Sequence, residues 1–224
     1  SSTTLSFESL SDAGSAWGAY IGDIQVIEIP QAVSTVLNND STLSYDAGTG
    51  KFYRLVDSAT DFATALGAAT ASSLNGVSGE LVTIDSAYEN EIVRNWVISS
   101  GAGIWLGATD AASQGDWVEY DGATASGDTI IAGGTAVAGH YSSIFSASDV
   151  DGVGEDHLRI ESDGRWNDTG SSGPLNYVVQ WDASEVLSNY TFTLTDDAGG
   201  RFAIDSNTGE ITVANGTLLD YESN

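Results

Sequence analysis

The sequence predicts an α+β fold, and three observations support this prediction. Short apolar segments with the two-residue alternation of β-strands recur along the 224 residues. Two segments between them carry apolar residues at the spacing of an amphipathic helix. Clusters of Gly, Asn and Asp, which favour turns, separate the segments. Hydrophobic residues make up 41% of the chain, enough for a buried core, and the length suggests one or two domains.

The first predicted part comprises residues 1–40. Residues 4–8 and 19–29 alternate as strands do, and Pro30 ends the second strand. Two strands do not make a stable unit alone. We therefore interpret this part as the terminal strands of a preceding β domain, followed by a linker from Pro30 to Asp40.

The second part, residues 41–184, begins with a predicted β-hairpin. Residues 43–45 and 52–56 flank an Asp-Ala-Gly-Thr-Gly turn. A first helix is expected next, with Asp57 or Ser58 as its N-cap. The apolar residues that recur at helical spacing in this helix are Phe62, Ala65, Leu66 and Ala69.

A second helix is expected to begin at Asp85 or Ser86. Glu89 or Glu91 would complete a capping box, in which the acidic side chain returns to the backbone at the helix start. The predicted apolar face of this helix consists of Tyr88, Ile92, Trp96 and Val97.

The remaining segments are predicted to be strands and loops. Residues 101–154 are rich in Gly, Ala and Ser, and residues 158–160 and 177–181 read as strands that close the second part. The third part, residues 185–224, alternates short apolar segments with Asp-, Asn- and Gly-containing turns. Its predicted strands are residues 190–194, 201–204 and 210–213.

The charge of the chain excludes two classes of partner. There are 32 acidic against 6 basic side chains, which gives a net charge of −26 at pH 7. Nucleic acids and anionic membrane surfaces both require basic residues, so we expect neither partner and no direct membrane insertion. A folded chain of this charge repels itself unless cations intervene, so bound divalent metal or high salt is expected.

Three stretches of the second part stand in the order of a known family. They are Gly-Glu-Leu-Val-Thr-Ile-Asp-Ser at 79–86, Ile-Trp-Leu-Gly-Ala-Thr-Asp at 104–110, and Gly-Glu-Asp at 154–156 followed by Trp-Asn-Asp at 166–168. Over roughly residues 42–183 the chain thus resembles the C-type lectin-like domain. The resemblance implies two helices, small antiparallel sheets and a long calcium-binding loop, flanked here by short β segments.

The resemblance also implies Ca²⁺ as a cofactor. Glu155, Asn167 and Asp168 match three side chains that ligate one calcium in the sugar-binding members. The Glu-Pro-Asn or Gln-Pro-Asp tripeptide of those members is Ala-Ser-Asp here. Only Asp149 therefore keeps a usual donor, and we expect Asp151 to substitute for the other through a shift of the loop.

A second calcium site of the family resembles Asp110, Gln114, Glu155 and Asp156, although the position of Gln114 is usually acidic. Independently of the family, residues 149–156 form an acidic loop with two glycines. Alternate oxygen donors on such a turn suit calcium, which takes six to eight oxygen ligands.

The third part resembles the start of a cadherin-like repeat. Residues 200–213, followed by Leu-Asp-Tyr-Glu, carry this resemblance. Asp220 and Glu222 match two calcium ligands of that family. An alternative is that the strands on the two flanks of the second part meet and cover each other's edges.

Together, the resemblances imply a calcium-dependent, carbohydrate-binding module of an RTX-type adhesin on the bacterial cell surface. The chain contains no Met, so we expect it to be part of a larger multidomain protein. Two alternatives stay open: a module that binds a host or partner cell-surface protein, and a structural spacer stiffened by calcium. An enzyme is not expected, because two His, no Cys and no Gly-x-Ser-x-Gly elbow leave little catalytic chemistry.

Overall fold

A computed structural model describes residues 31–144, 153–207 and 209–219. The helices are α1 (Gln31–Asn39), α2 (Phe62–Ala71), α3 (Ala87–Ser100) and α4 (Ala183–Ser188), with a 3₁₀ helix at Gly216–Leu219. The strands are β1 (Ser44–Asp46), β2 (Lys51–Thr60), β3 (Ser73–Leu74), β4 (Val77–Ser78), β5 (Glu80–Leu81), β6 (Ile104–Thr109), β7 (Trp117–Asp121), β8 (Thr124–Ala132), β9 (Thr135–Ala136), β10 (His157–Ile160), β11 (Trp166–Thr169), β12 (Leu175–Asp182), β13 (Phe202–Ile204) and β14 (Ile211–Val213). Within the described ranges, no helix has the length and apolar character needed to cross a membrane.

The main sheet is centred on β12 and β6. Its strand order is β1-β2-β12-β6-β7-β8-β9, with β10 paired to both β6 and β11, and β5 paired to β12. The pairing of β12 with β2 is antiparallel and that with β6 is parallel. This sheet confirms the predicted hairpin and both predicted closing strands.

The core lies on both faces of β6. Side chains alternate across a strand, so Ile104 and Leu106 join a cluster with Val93 of α3 and Trp166 of β11. Trp105 points to the other face, where it packs with the residues beneath α1, α2 and α4. The sheet is therefore sandwiched between α3 on one side and the remaining helices on the other.

The N-cap of α2 differs from the prediction. Asp61, and neither Asp57 nor Ser58, caps the helix by accepting a hydrogen bond from the Thr64 backbone N–H at 2.9 Å. The reason is that β2 stays paired with β12 as far as Thr60. Both predicted caps therefore lie within the strand.

The start of α3 is as predicted. Ser86 is the N-cap and accepts a hydrogen bond from the Glu89 N–H, while Glu89 Oε2 accepts from the Asp85 N–H at 2.9 Å. These reciprocal bonds satisfy donors that a helix start otherwise leaves free.

The apolar face predicted for α3 was wrong in part. The residues buried on this helix are Glu89, Asn90, Val93 and Val97, while Tyr88 is 55% exposed. Asn90 explains the rotation, because its side chain bonds both the Gly164 carbonyl and the Trp166 indole N–H. Because two of the residues on the buried face are polar, the spacing of apolar residues did not reveal which face of α3 is buried.

Two expectations for the flanks were wrong. Residues 31–39 form α1 and not a linker, and Val33 and Val36 of this helix are buried. Residues 190–194 do not form a strand, although the rings of Tyr190 and Phe192 stack with centroids 6.2 Å apart. The strands predicted within residues 1–30 lie outside the described ranges.

Candidate functional site

Three strands bring acidic side chains to one end of the sheet. Strand β10 lies between β6 and β11, with His157 opposite both Thr109 and Thr169. Asp110 follows β6 directly, Asp156 precedes β10 directly, and Asp168 is the third residue of β11. Antiparallel pairing thus brings carboxylates from three separate parts of the sequence to the same end of the sheet. The resemblance assigned Asp110 and Asp156 to one calcium site and Asp168 to the other, and these roles stay predictions.

Asp110 is the central residue of this site. Only 2% of it is exposed. Its Oδ2 accepts hydrogen bonds from the Gly115 N–H at 2.7 Å and from Gln114 Nε2 at 2.8 Å. Its Oδ1 is buried with no hydrogen-bond partner among the described residues. A buried carboxylate oxygen without a partner is costly, so this atom marks a place for a cation or a donor.

The electrostatics of the site favour a cation. Burial raises the pKa of Asp110, and the nearby Asp156 and Asp168 carboxylates raise it further. Asp168 is itself buried. Like charges this close disfavour one another unless a positive charge lies between them.

Gln114 is placed as a donor to Asp110. Its amide nitrogen, and not its oxygen, faces the carboxylate. Two further residues of the site were not foreseen from the sequence: Gly115, which donates its N–H at a φ of +80°, and Thr109, whose hydroxyl donates to the Asp156 carbonyl at 2.7 Å. The glycine directly after Gln114 was the available signal for a tight turn around Asp110.

The other predicted ligands differ in exposure. Glu155 is exposed and Asn167 is half-buried on β11, where its amide Nδ2 donates to the Asp168 carbonyl at 3.1 Å. Asp149 and Asp151 lie outside the described residues, as do Asp220 and Glu222 of the third part. Within the described ranges, no three His, Asp or Glu side chains are close enough together to hold a metal ion.

Aromatic rings pack against His157, the first residue of β10, next to the site. The imidazole of His157 stacks on the Phe62 ring with centroids 3.8 Å apart and meets Trp105 edge-on. Burial lowers the pKa of His157. The ring therefore fixes the start of β10, next to Asp156, in a mainly apolar setting.

Comparison with known proteins identifies the fold. No protein-family model matches the chain. The chain is similar to the mouse scavenger receptor C-type lectin carbohydrate-recognition domain, with a TM-score of 0.50 and 20% identity over 64% of this chain and 95% of that one. It is also similar to the C-type lectin CEL-I from Cucumaria echinata, with a TM-score of 0.50 and 21% identity over 62% and 94%. The fold is therefore C-type lectin-like, as predicted.

One curated relative matches nearly the whole chain. Halomucin of Haloquadratum walsbyi is 26% identical over 211 residues, which cover 90% of this chain. The chain spans 2% of the length of that relative.

Proposed function

We propose that the chain is a calcium-dependent ligand-binding module of an extracellular adhesin, and that its ligand is a carbohydrate. The observation that carries the proposal is the Asp110 carboxylate, which is buried at the end of β6 with one oxygen lacking a partner. Two solved structures that share this fold are a carbohydrate-recognition domain and a lectin, which supports binding. We infer binding and not catalysis.

The residues present fit calcium, because the site offers oxygen donors without sulfur or a converging imidazole. Asp110, Asp156 and Asp168 would each offer a carboxylate to the ion, although among the described residues no three such groups are close enough together to hold it by themselves. Glu155 precedes β10 and Asn167 lies on β11. Asp149 and Asp151 remain predicted ligands. Bound calcium would supply open coordination positions for hydroxyl oxygens of the ligand.

The protein groups then determine the orientation of the sugar. Glu155 is exposed, so its carboxylate is available to accept hydrogen bonds from ligand hydroxyls. The Asn167 amide, half-buried on β11, is able both to donate and to accept. A shallow site of this kind gives modest affinity, and useful adhesion comes from many copies.

The surroundings support an extracellular role. The net charge of −26 suits a medium that supplies cations, and the likeness to halomucin and to a carbohydrate-recognition domain agrees with it. The RTX-type architecture, the bacterial surface and the cadherin-like repeat rest on sequence resemblance and are part of the proposal.

A second candidate keeps the metal and changes the ligand. The tripeptide that holds sugar hydroxyls in sugar-binding C-type lectins is Ala-Ser-Asp at residues 147–149. This departure favours a peptide or protein ligand, such as a chain terminus whose carboxylate reaches the calcium. A spacer that binds calcium and no ligand is the remaining outcome.

The test combines calorimetric calcium titration with glycan and peptide arrays, each read with calcium and with chelator. We expect calcium-dependent glycan binding by the unmodified chain, and loss of both calcium and glycan binding in Asp110→Asn. The control is Asp163→Asn, which removes an exposed carboxylate at the far end of the β10–β11 hairpin and leaves binding unchanged. Calcium-dependent binding to peptides alone supports the second candidate, and an absent calorimetric signal for calcium refutes both.

A further inference from the structure

The hairpin of β13 and β14 presents an apolar face to solvent. Its register places Phe202 opposite Val213 and Ile204 opposite Ile211. Directly opposed residues lie on the same face of an antiparallel pair, so all four side chains project together. Phe202, Ile211 and Val213 are 36%, 52% and 53% exposed. In the part of the chain that the structure describes, they are half of the exposed large hydrophobic residues.

A face of this kind requires a covering partner. An isolated two-stranded hairpin is at best marginally stable in water, and it becomes stable when its apolar face packs on another element. The opposite face carries Ala203 and Thr212, which offer little to pack. The partner must therefore approach the side of Phe202 and Ile211.

The size of the face indicates a tethered partner. A specific interface between separate chains buries about 800 Å² on each partner, and four side chains on three-residue strands provide much less than this. A segment of the same chain is present at high effective concentration, so a small contact is enough to hold it.

The connectivity of the chain puts such a segment within reach. Residues 19–29 are separated from α1 by Pro30 alone, and α1 contacts α4. Residues 189–201 connect the end of α4 to β13. Both connections thus begin at one helix pair, and a strand of eleven residues spans roughly 36 Å.

We propose that residues 19–29 pack across the apolar face of the β13–β14 hairpin. Their β-branched residues favour a strand. Ile21, Ile27 and Ile29 would lie on one face of that strand and Ile24 and Val26 on the other, so each face offers apolar side chains to the hairpin. The two flanks then form one small β-module attached to the lectin-like fold. This inference is independent of the calcium site.

Hydrogen exchange on the full chain tests the proposal. We expect the amides of residues 19–29 to exchange at least tenfold more slowly than an unstructured peptide, and Val213→Asp to remove this protection. Thr212→Asp, on the opposite face of the same strand, preserves it. Exchange of residues 19–29 at the unstructured rate, or equal protection in the Val213→Asp variant, would overturn the proposal.

Cross-linking provides a second measurement. The sequence contains no cysteine, so introduced pairs have no background. Ile211→Cys combined with Ile24→Cys or with Ile27→Cys tests the two faces of the segment in turn, and we expect one combination to form a disulfide within the chain. Disulfides that join two copies, or none in either combination, contradict the proposal. Thr212→Cys serves as the control position and is expected to form none.

Discussion

Two acidic residues of this molecule are equally buried but have different surroundings. Glu89 and Asp110 are each 2% exposed. Both Glu89 oxygens are satisfied: Oε1 accepts from Lys51 Nζ at 2.9 Å and from the Tyr53 hydroxyl at 2.7 Å, and Oε2 accepts from the Asp85 N–H. Asp110 has one satisfied oxygen and one without a partner among the described residues.

The comparison separates an acid that the protein neutralises itself from one that it leaves without a cation among the described residues. Burial alone lowers the pKa of Lys51, but the Glu89 and Asp85 carboxylates raise it overall, so the ammonium ion stays charged beside Glu89. The protein thus supplies its own cation at Glu89. At Asp110 the neighbours Asp156 and Asp168 are also acids, so under the proposed function the cation comes from solution.

The largest expected effect is at Glu89. Replacing one partner of a buried ion pair leaves the other uncompensated, so we expect Glu89→Ala to lower the free energy of unfolding by about 3 kcal/mol. Chemical denaturation with and without calcium measures it, and the loss is the same in both. Glu91→Ala is the control: Glu91 pairs with Arg94 on the helix surface, and its loss costs about 0.5 kcal/mol. A calcium-dependent loss at Glu89 would contradict its structural role.

The next largest effect is on the stabilisation by calcium and is expected at Asp110. Unlike the loss at Glu89, it depends on calcium. At a calcium concentration of 100 Kd, binding stabilises the folded state by about 2.7 kcal/mol. We expect Asp110→Asn to abolish this gain and to leave the stability in chelator unchanged or slightly higher, since a buried charge is removed. Thermal unfolding at matched ionic strength measures both quantities. If the variant keeps the full calcium response, Asp110 is not a ligand.

The resemblance named Asp110, Asp156 and Asp168 as calcium ligands, and the structure places all three at the ends of strands or next to them. Their role as ligands stays a prediction. Glu89 was foreseen only as part of a capping box. Its burial depends on Lys51 and Tyr53, which come from a strand more than thirty residues away, and no local pattern shows that contact.

Helix α1 was missed for a related reason. Residues 31–39 have no acidic residue in the first turn and no basic residue in the last, so the usual signals of helix ends are absent. The helix is held by packing of Val33 and Val36 in the core cluster that contains Trp105. Tertiary contacts, and not local sequence, decide such a segment.

The smallest expected effect concerns a third acid, Glu119 on β7, which is half-buried. Burial raises the pKa of Glu119 from 4.5 to about 7, with a further contribution from the Asp85 and Asp128 carboxylates. Because the folded protein holds this proton more tightly than the unfolded chain does, stability falls as the pH rises through the window from 4.5 to about 7.

Glu119→Gln removes that dependence. We expect the variant to gain about 1 kcal/mol over the unmodified chain between pH 5 and pH 8, a value reduced for the partial solvent screening of a half-buried group. Urea denaturation in chelator at the two pH values measures the difference. Asp121→Asn, an exposed acid on the same strand, is expected to show no such gain. An equal effect of Glu119→Gln at both pH values would show that burial does not raise the pKa of Glu119.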